Sequence, residues 1–130
     1  QFVDHCADMP AAYMLADIVV SASTRPEGFG RVIAEALAMG RPVIATDHGG
    51  ASEIVQPRVT GWLVSPGDAD ALAQALAAAL ALTSEQRKSL ADRAIASIAA
   101  RFSRAVMTQR TIAVYEDILR RDFERRDERR

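Results

Sequence analysis

"RPEGFGRVIAEALAMGRPVIATDHGG" runs from Arg25 to Gly50 and contains the two segments that decide the fold. Its centre, GRVIAEALAM, is helical in pattern. Val32, Ile33, Ala36, Leu37 and Met39 form an apolar face, and Gly40 supplies the left-handed residue that commonly ends a helix. Pro42 to Thr46 is a short apolar run expected to be a buried strand, with Pro42 acceptable at its first position. Gly28-Phe29-Gly30 leads into the helix, and Gly49-Gly50 follows the strand. Two carboxylates, Glu27 and Glu35, stand eight positions apart. They are either an ordinary loop residue and an ordinary helix-edge residue, or two parts of one ligand site.

The same alternation continues on both sides. Upstream, Phe2 and Val3 read as the end of a buried strand. MPAAYMLAD reads as a short helix with Pro10 in its first turn, and IVVSAS from Ile18 as a strand. Downstream, ASEIV reads as a short turn or helix and TGWLV, ending at Val64, as a strand. Asp68 is a suitable N-cap for ADALAQALAAALAL. Thr83 and Gln86 have capping-box spacing for a helix to about Ala100, and Ser103 can cap a last helix to about Asp127. Strands alternating with helices imply an α/β fold: a parallel sheet with helices on both faces, here with a helical tail. The expected division is an α/β core over about 1–82 and C-terminal helices over 83–130.

Composition bounds the function. The 130 residues are 49% hydrophobic and 25% charged, which is globular rather than disordered. A formal charge of -1 gives no sign of a nucleic-acid partner. The tail RRDFERRDERR mixes both signs, and Asp117/Arg121 and Asp122/Arg126 have the spacing of helix ion pairs, so a solvated helix is expected rather than an RNA or membrane patch. Cys6 is the one cysteine, which excludes an internal disulfide and paired-cysteine metal ligands and points toward a reducing compartment, the cytoplasm. No run of apolar residues has transmembrane length. QFVDHCADMP lacks the pattern of a signal peptide, and the absence of Met at position 1 suggests a piece of something larger.

In open parallel sheets, ligands bind beyond the carboxyl ends of the strands. TRPEGFG and DHGG occupy that position, and their glycines permit close approach of backbone to a ligand. Amides of Gly30, Arg31 and Val32 at a helix start suit a phosphate, with Phe29 as a packing wedge or pocket wall. From the segment alone, a glycine-rich turn without any ligand remains the plainer reading. Glu35 lies between Ala34 and Ala36 on a helix built for burial. A buried carboxylate needs partners such as ligand hydroxyls, unless it simply points to solvent at the helix edge. His5 and His48 read as solvated loop residues rather than metal ligands. Cys6 lacks a third group to orient it as a nucleophile. The glycine patterns of NAD and ATP sites are absent.

Over essentially its whole length, and most specifically from Ser21 to Asp68, the chain resembles the C-terminal, donor-binding domain of retaining GT-B glycosyltransferases of the glycogen-synthase-like kind. The residues that carry the resemblance are Pro26-Glu27-Gly28-Phe29-Gly30, Glu35-Ala36, Gly40, Pro42 to Thr46, Gly49-Gly50, Glu53, Thr60-Gly61 and Pro66-Gly67-Asp68. Tyr13, Ala16, Asp17 and Tyr115 also fit. The resemblance implies a Rossmann-like sheet and transfer of a sugar from a UDP- or GDP-linked donor with retention. It implies that Glu27 contacts the sugar on the reactive side and is the candidate catalytic residue. Gly28, Phe29, Gly30, Arg31 and Val32 would hold sugar and diphosphate, and Glu35 the ribose. His5 and Cys6 would fall near the base. No metal and no cofactor beyond the nucleotide-sugar substrate is implied.

The acceptor, a carbohydrate or lipid-linked sugar, would be held by an N-terminal domain absent from this chain. Polysaccharide or glycolipid synthesis in the cytoplasm, with peripheral association of the full-length enzyme at the inner membrane face, is the implied setting. The family's basic pair for the diphosphate is also missing, since Arg25 and Arg31 do not match its positions. The 130-residue chain alone is therefore expected to be inactive. A sugar-nucleotide epimerase of the same fold and a non-catalytic binding module remain the alternatives.

Overall fold

The computed structural model describes residues 5–127 and the side chains of residues 5–121. The strand expected at Phe2 and Val3 and the Asp122/Arg126 pair lie outside these limits. In chain order the elements are α1 (Met9–Leu15), β1 (Val19–Ser21), α2 (Arg31–Ala38), β2 (Val43–Thr46), α3 (Gly50–Ile54), β3 (Gly61–Val64), α4 (Ala69–Leu80), α5 (Ser84–Phe102) and α6 (Arg104–Asp127).

The three strands are parallel and ordered β1-β2-β3, with Val19 opposite Val43 and Ile44 opposite Trp62. Because the order advances without reversal, right-handed crossovers put α2 and α3 on one face. These helices touch each other and both touch β2. On the other face, Ala75 and Ala79 of α4 pack against Ile44 and Val64, with Trp62, Leu72 and Leu76 alongside. All four residues of β2 are buried. A strand covered on both faces shows no polar alternation, which is why Val43 to Ala45 read as a continuous apolar run.

The helix ends follow local chemistry. Gly40 takes φ +67, its amide donates to the Leu37 carbonyl, and the Arg41 amide donates to Ala36, forming a Schellman motif. Asp8 and Asp68 accept from the amides of Ala11 and Ala71 at 3.1 and 2.8 Å. Thr83 and Gln86 exchange the two reciprocal bonds of a capping box. One residue departs from the expected apolar face of α2: Val32 is 45% exposed, and Ala34 is buried in its place.

The chain forms two compact units, residues 1–98 and 99–130. The first contains the sheet, α1 to α4 and most of α5. In the second, Asp117 bonds Arg120 and Arg121, each at 2.7 Å. The Arg120 hydrogen bond, with both guanidinium charges, holds its carboxyl below the usual range. Among the described residues, no helix is long and apolar enough to cross a membrane.

Candidate functional site

The loops after β1 and β2 meet beyond the carboxyl ends of those strands. The Gly50 amide donates to the Glu27 carbonyl at 2.9 Å. A Cβ on Gly49 would fall on the Glu27 carbonyl oxygen, and one on Gly50 would fall on the carbonyl of Phe29. Gly49 also holds φ +54. The glycine pair lets one backbone dock on another, whereas close approach of a ligand was the sequence expectation. Gly28 is different, with nothing within 4 Å of where its Cβ would stand.

A second tie joins the same loops. Buried Thr46 donates from Oγ1 to the Ser23 carbonyl at 2.7 Å, and His48 Nε2 lies 2.8 Å from the same oxygen. A carbonyl only accepts, so Nε2 carries a proton and donates it to the Ser23 oxygen. His48 is half-buried, and its Nδ1 is sealed from solvent. The solvated reading of His48 is thus corrected: the Ser23 carbonyl draws the ring inward. His5 is exposed, as expected of a loop residue, and the Cys6 thiol donates to the Asp8 carbonyl.

Gly30 caps α2 at φ +81 without a side-chain hydrogen bond. Its carbonyl accepts from the Ile33 and Ala34 amides at 3.1 and 3.2 Å. Among the described residues, the Arg31 and Val32 amides have no hydrogen-bond partner, and both residues are exposed. These amides stand at the positive end of the helix dipole. Glu27, Gly28 and Phe29 are exposed on the loop before them.

Glu35 lies one turn further along α2, its side chain 36% exposed. The Tyr13 hydroxyl donates to Oε2 at 3.0 Å, while Arg31 Nε and Nη2 reach Oε1 at 3.2 and 2.9 Å. Tyr13 is only 5% exposed. Burial, then the hydrogen bond and charge of Glu35, push its hydroxyl up to about 12. The expected partners of Glu35 were ligand hydroxyls; the chain itself supplies two. Tyr13 was missed as a site residue. Its signal is a phenol among apolar neighbours on a helix, since a buried hydroxyl usually finds a partner.

Ala7, Met9, Pro10, Tyr13, Arg31 and Glu35 line a groove of about 460 Å³. Of the sequence candidates, the groove brings together Arg31 and Glu35. Glu27, Gly28, Phe29, Gly30 and Val32 lie outside its lining. Among the described residues, no group of three or more His, Cys, Asp or Glu side chains is arranged to hold a metal.

The family model described as glycosyl transferases group 1 matches residues 1–81. The chain is similar to Anabaena Alr3699/HepE, solved in complex with UDP-glucose, at 34% identity and TM-score 0.81, over 90% of this chain and 32% of that one. It is similar to the C-terminal domain of a glycosyl transferase group 1 family protein (LpcC) from Francisella tularensis, at 31% identity and TM-score 0.68, over 80% of this chain and 52% of that one. It is 44% identical over 50 residues to the amylovoran biosynthesis glycosyltransferase AmsK of Erwinia amylovora, 38% of this chain and 12% of that protein. The chain spans about a third or less of the curated relatives it matches. With its parallel sheet and the loops gathered at its carboxyl ends, the chain belongs to the glycosyl transferases group 1 family, as a part of the C-terminal domain.

Proposed function

We propose that the chain holds the activated donor in a retaining glycosyltransferase, with Glu35 accepting from the ribose hydroxyls of a UDP- or GDP-linked sugar. The observation that carries this reading is Glu35 itself, a half-exposed carboxylate on the wall of a groove, one turn from two unpartnered amides. In this reading the Arg31 and Val32 amides, with the backbone at Phe29 and Gly30, cradle the diphosphate. Exposed Glu27 and Gly28 face the sugar, and the groove beside Ala7 and Pro10 takes the base. The complex of Alr3699/HepE with UDP-glucose supports a donor of this class.

The chemistry follows from where charge develops. As the glycosyl bond breaks, negative charge grows on the departing diphosphate. Fixed amide dipoles at a helix start stabilise that charge without reorganising during the reaction. Glu27, on the sugar side, accepts from sugar hydroxyls and lies near the reacting carbon. The acceptor comes from the rest of the full-length enzyme. Surface polysaccharide or glycolipid synthesis at the inner membrane face is the proposed setting, in line with the name of AmsK.

Calorimetry of full-length protein with UDP and GDP tests the reading. Glu35→Ala removes charge-assisted hydrogen bonds and should weaken the bound nucleotide about 10- to 100-fold. Unchanged nucleotide affinity takes Glu35 out of the site.

A further inference from the structure

The Tyr13–Glu35 contact carries an inference beyond the donor site, and rests on the reading of Glu35 as the ribose-facing carboxylate. We propose that Tyr13 is a positioning residue for the nucleoside: its hydroxyl fixes Oε2 of Glu35 so that Oε1 is presented to the vicinal hydroxyls of the ribose.

The two partners of Glu35 differ in kind. Tyr13 is 5% exposed, and its rigid ring has few rotatable bonds. Arg31 is a flexible side chain, 83% exposed, and occupies the other carboxylate oxygen. A buried anchor on one oxygen and a mobile cation on the other make an acceptor that is oriented and yet can be vacated. Arg31 can release Oε1 to solvent or turn toward an incoming diphosphate at little cost, because exposed ion pairs contribute little. Tyr13 cannot move without opening the packing around α1.

A free glutamate side chain loses considerable rotamer freedom when a ligand immobilises it. The Tyr13 bond meets part of that cost before the ligand arrives. The hydroxyl is also a constant donor, since a tyrosine is protonated throughout the physiological range and burial beside a carboxylate only raises its pKa further. Its proton is therefore always available to Oε2, which leaves Oε1 to the ribose.

The test compares a nucleotide with its 2′,3′-dideoxy form, using UDP or GDP according to which one the full-length wild-type protein binds. Wild type should prefer the ribonucleotide about 10-fold or more. Tyr13→Phe should cut that preference at least threefold by weakening the ribonucleotide while leaving the dideoxy form unchanged. Equal weakening of both forms would mean a structural role, and an unchanged preference would mean none; either overturns the proposal. If wild type itself does not distinguish the two, the ribose reading of Glu35 fails and takes this proposal with it. In a Glu35→Ala background, which leaves the Tyr13 hydroxyl no acceptor at position 35, adding Tyr13→Phe should change ribonucleotide affinity no further.

Should Tyr13→Phe fail to fold, wild-type protein with ¹³C-tyrosine supplies the answer. The Tyr13 ring-carbon resonance next to the hydroxyl should move on adding the ribonucleotide and not the dideoxy form. A resonance that responds alike to both, or to neither, overturns the proposal.

Discussion

The Gly50 amide donates to the Glu27 carbonyl at 2.9 Å, so the first residue of α3 fastens the loop that precedes α2. The loop's shape is therefore set from outside its own sequence. Glu27 is exposed as a side chain yet fixed as a backbone. A residue held in this way can face a ligand without ordering the loop each time one binds.

Substituting either glycine should damage the protein. Gly50→Ala puts a methyl group onto the Phe29 carbonyl, and backbone cannot turn aside as a side chain can. Gly49→Ala adds strain at positive φ to a contact with the Glu27 carbonyl. Each should cost on the order of 2–4 kcal/mol by denaturant unfolding. Gly28→Ala, with open space around it, should cost well under half as much. Equal stability of all three variants would contradict the loop docking.

The tie at Ser23 predicts non-additivity. Thr46 and His48 both donate to one carbonyl, so either alone keeps it satisfied. Thr46→Val and His48→Ala should each destabilise by about 1 kcal/mol, and the double variant by more than their sum. A double-mutant cycle by thermal or urea unfolding reads the difference. Strict additivity would mean the two bonds act separately.

Tyr13 predicts an alkaline signature. Its hydroxyl is raised from 10.0 in the unfolded chain to about 12 in the fold. Above pH 10 the unfolded chain therefore releases this proton first. The contribution is fully present below pH 10 and is lost as pH rises through about 12, roughly 2–3 kcal/mol across that window. Tyr13→Phe should flatten the fall in stability between those pH values. An equally steep fall in the variant would deny the shift.

Glu27 and Glu35 should separate in kinetics. If Glu27 acts on the sugar and Glu35 on the nucleoside, Glu27→Ala loses kcat more than nucleotide affinity, while Glu35→Ala mainly weakens donor binding. The measurement is kcat and KM for the donor together with calorimetric nucleotide affinity in the full-length enzyme. Matching losses in both variants would mean that neither is specific to its assigned part of the donor.

Sequence made the frame of the molecule legible because its signals are local. The Thr83/Gln86 box, the Asp68 cap and the Gly40 stop each depend on residues within one or two turns, and each appears as expected. The buried run at Val43 to Ala45 is equally local. Contacts across elements were less visible. Glycine at 49 and 50 announces that something comes close, but not that the visitor is the backbone of Glu27 and Phe29. His48 in a glycine turn reads as solvated until Ser23, from another loop, supplies a carbonyl. Tyr13 and Glu35 are 22 positions apart, and their bond exists because α1 and α2 bring them to one groove. The roles proposed for Glu27 and Glu35 rest on family resemblance; spacing alone leaves them undecided.

The loop glycines also divide the molecule into sealed and open positions. Gly30 is committed by its φ, and Gly49 and Gly50 by the chain that lies against them. Gly28 is neither left-handed nor crowded. A side chain added there would meet ligand before it met protein, so Gly28 is the position at which the proposed donor site can be narrowed while the scaffold is left intact.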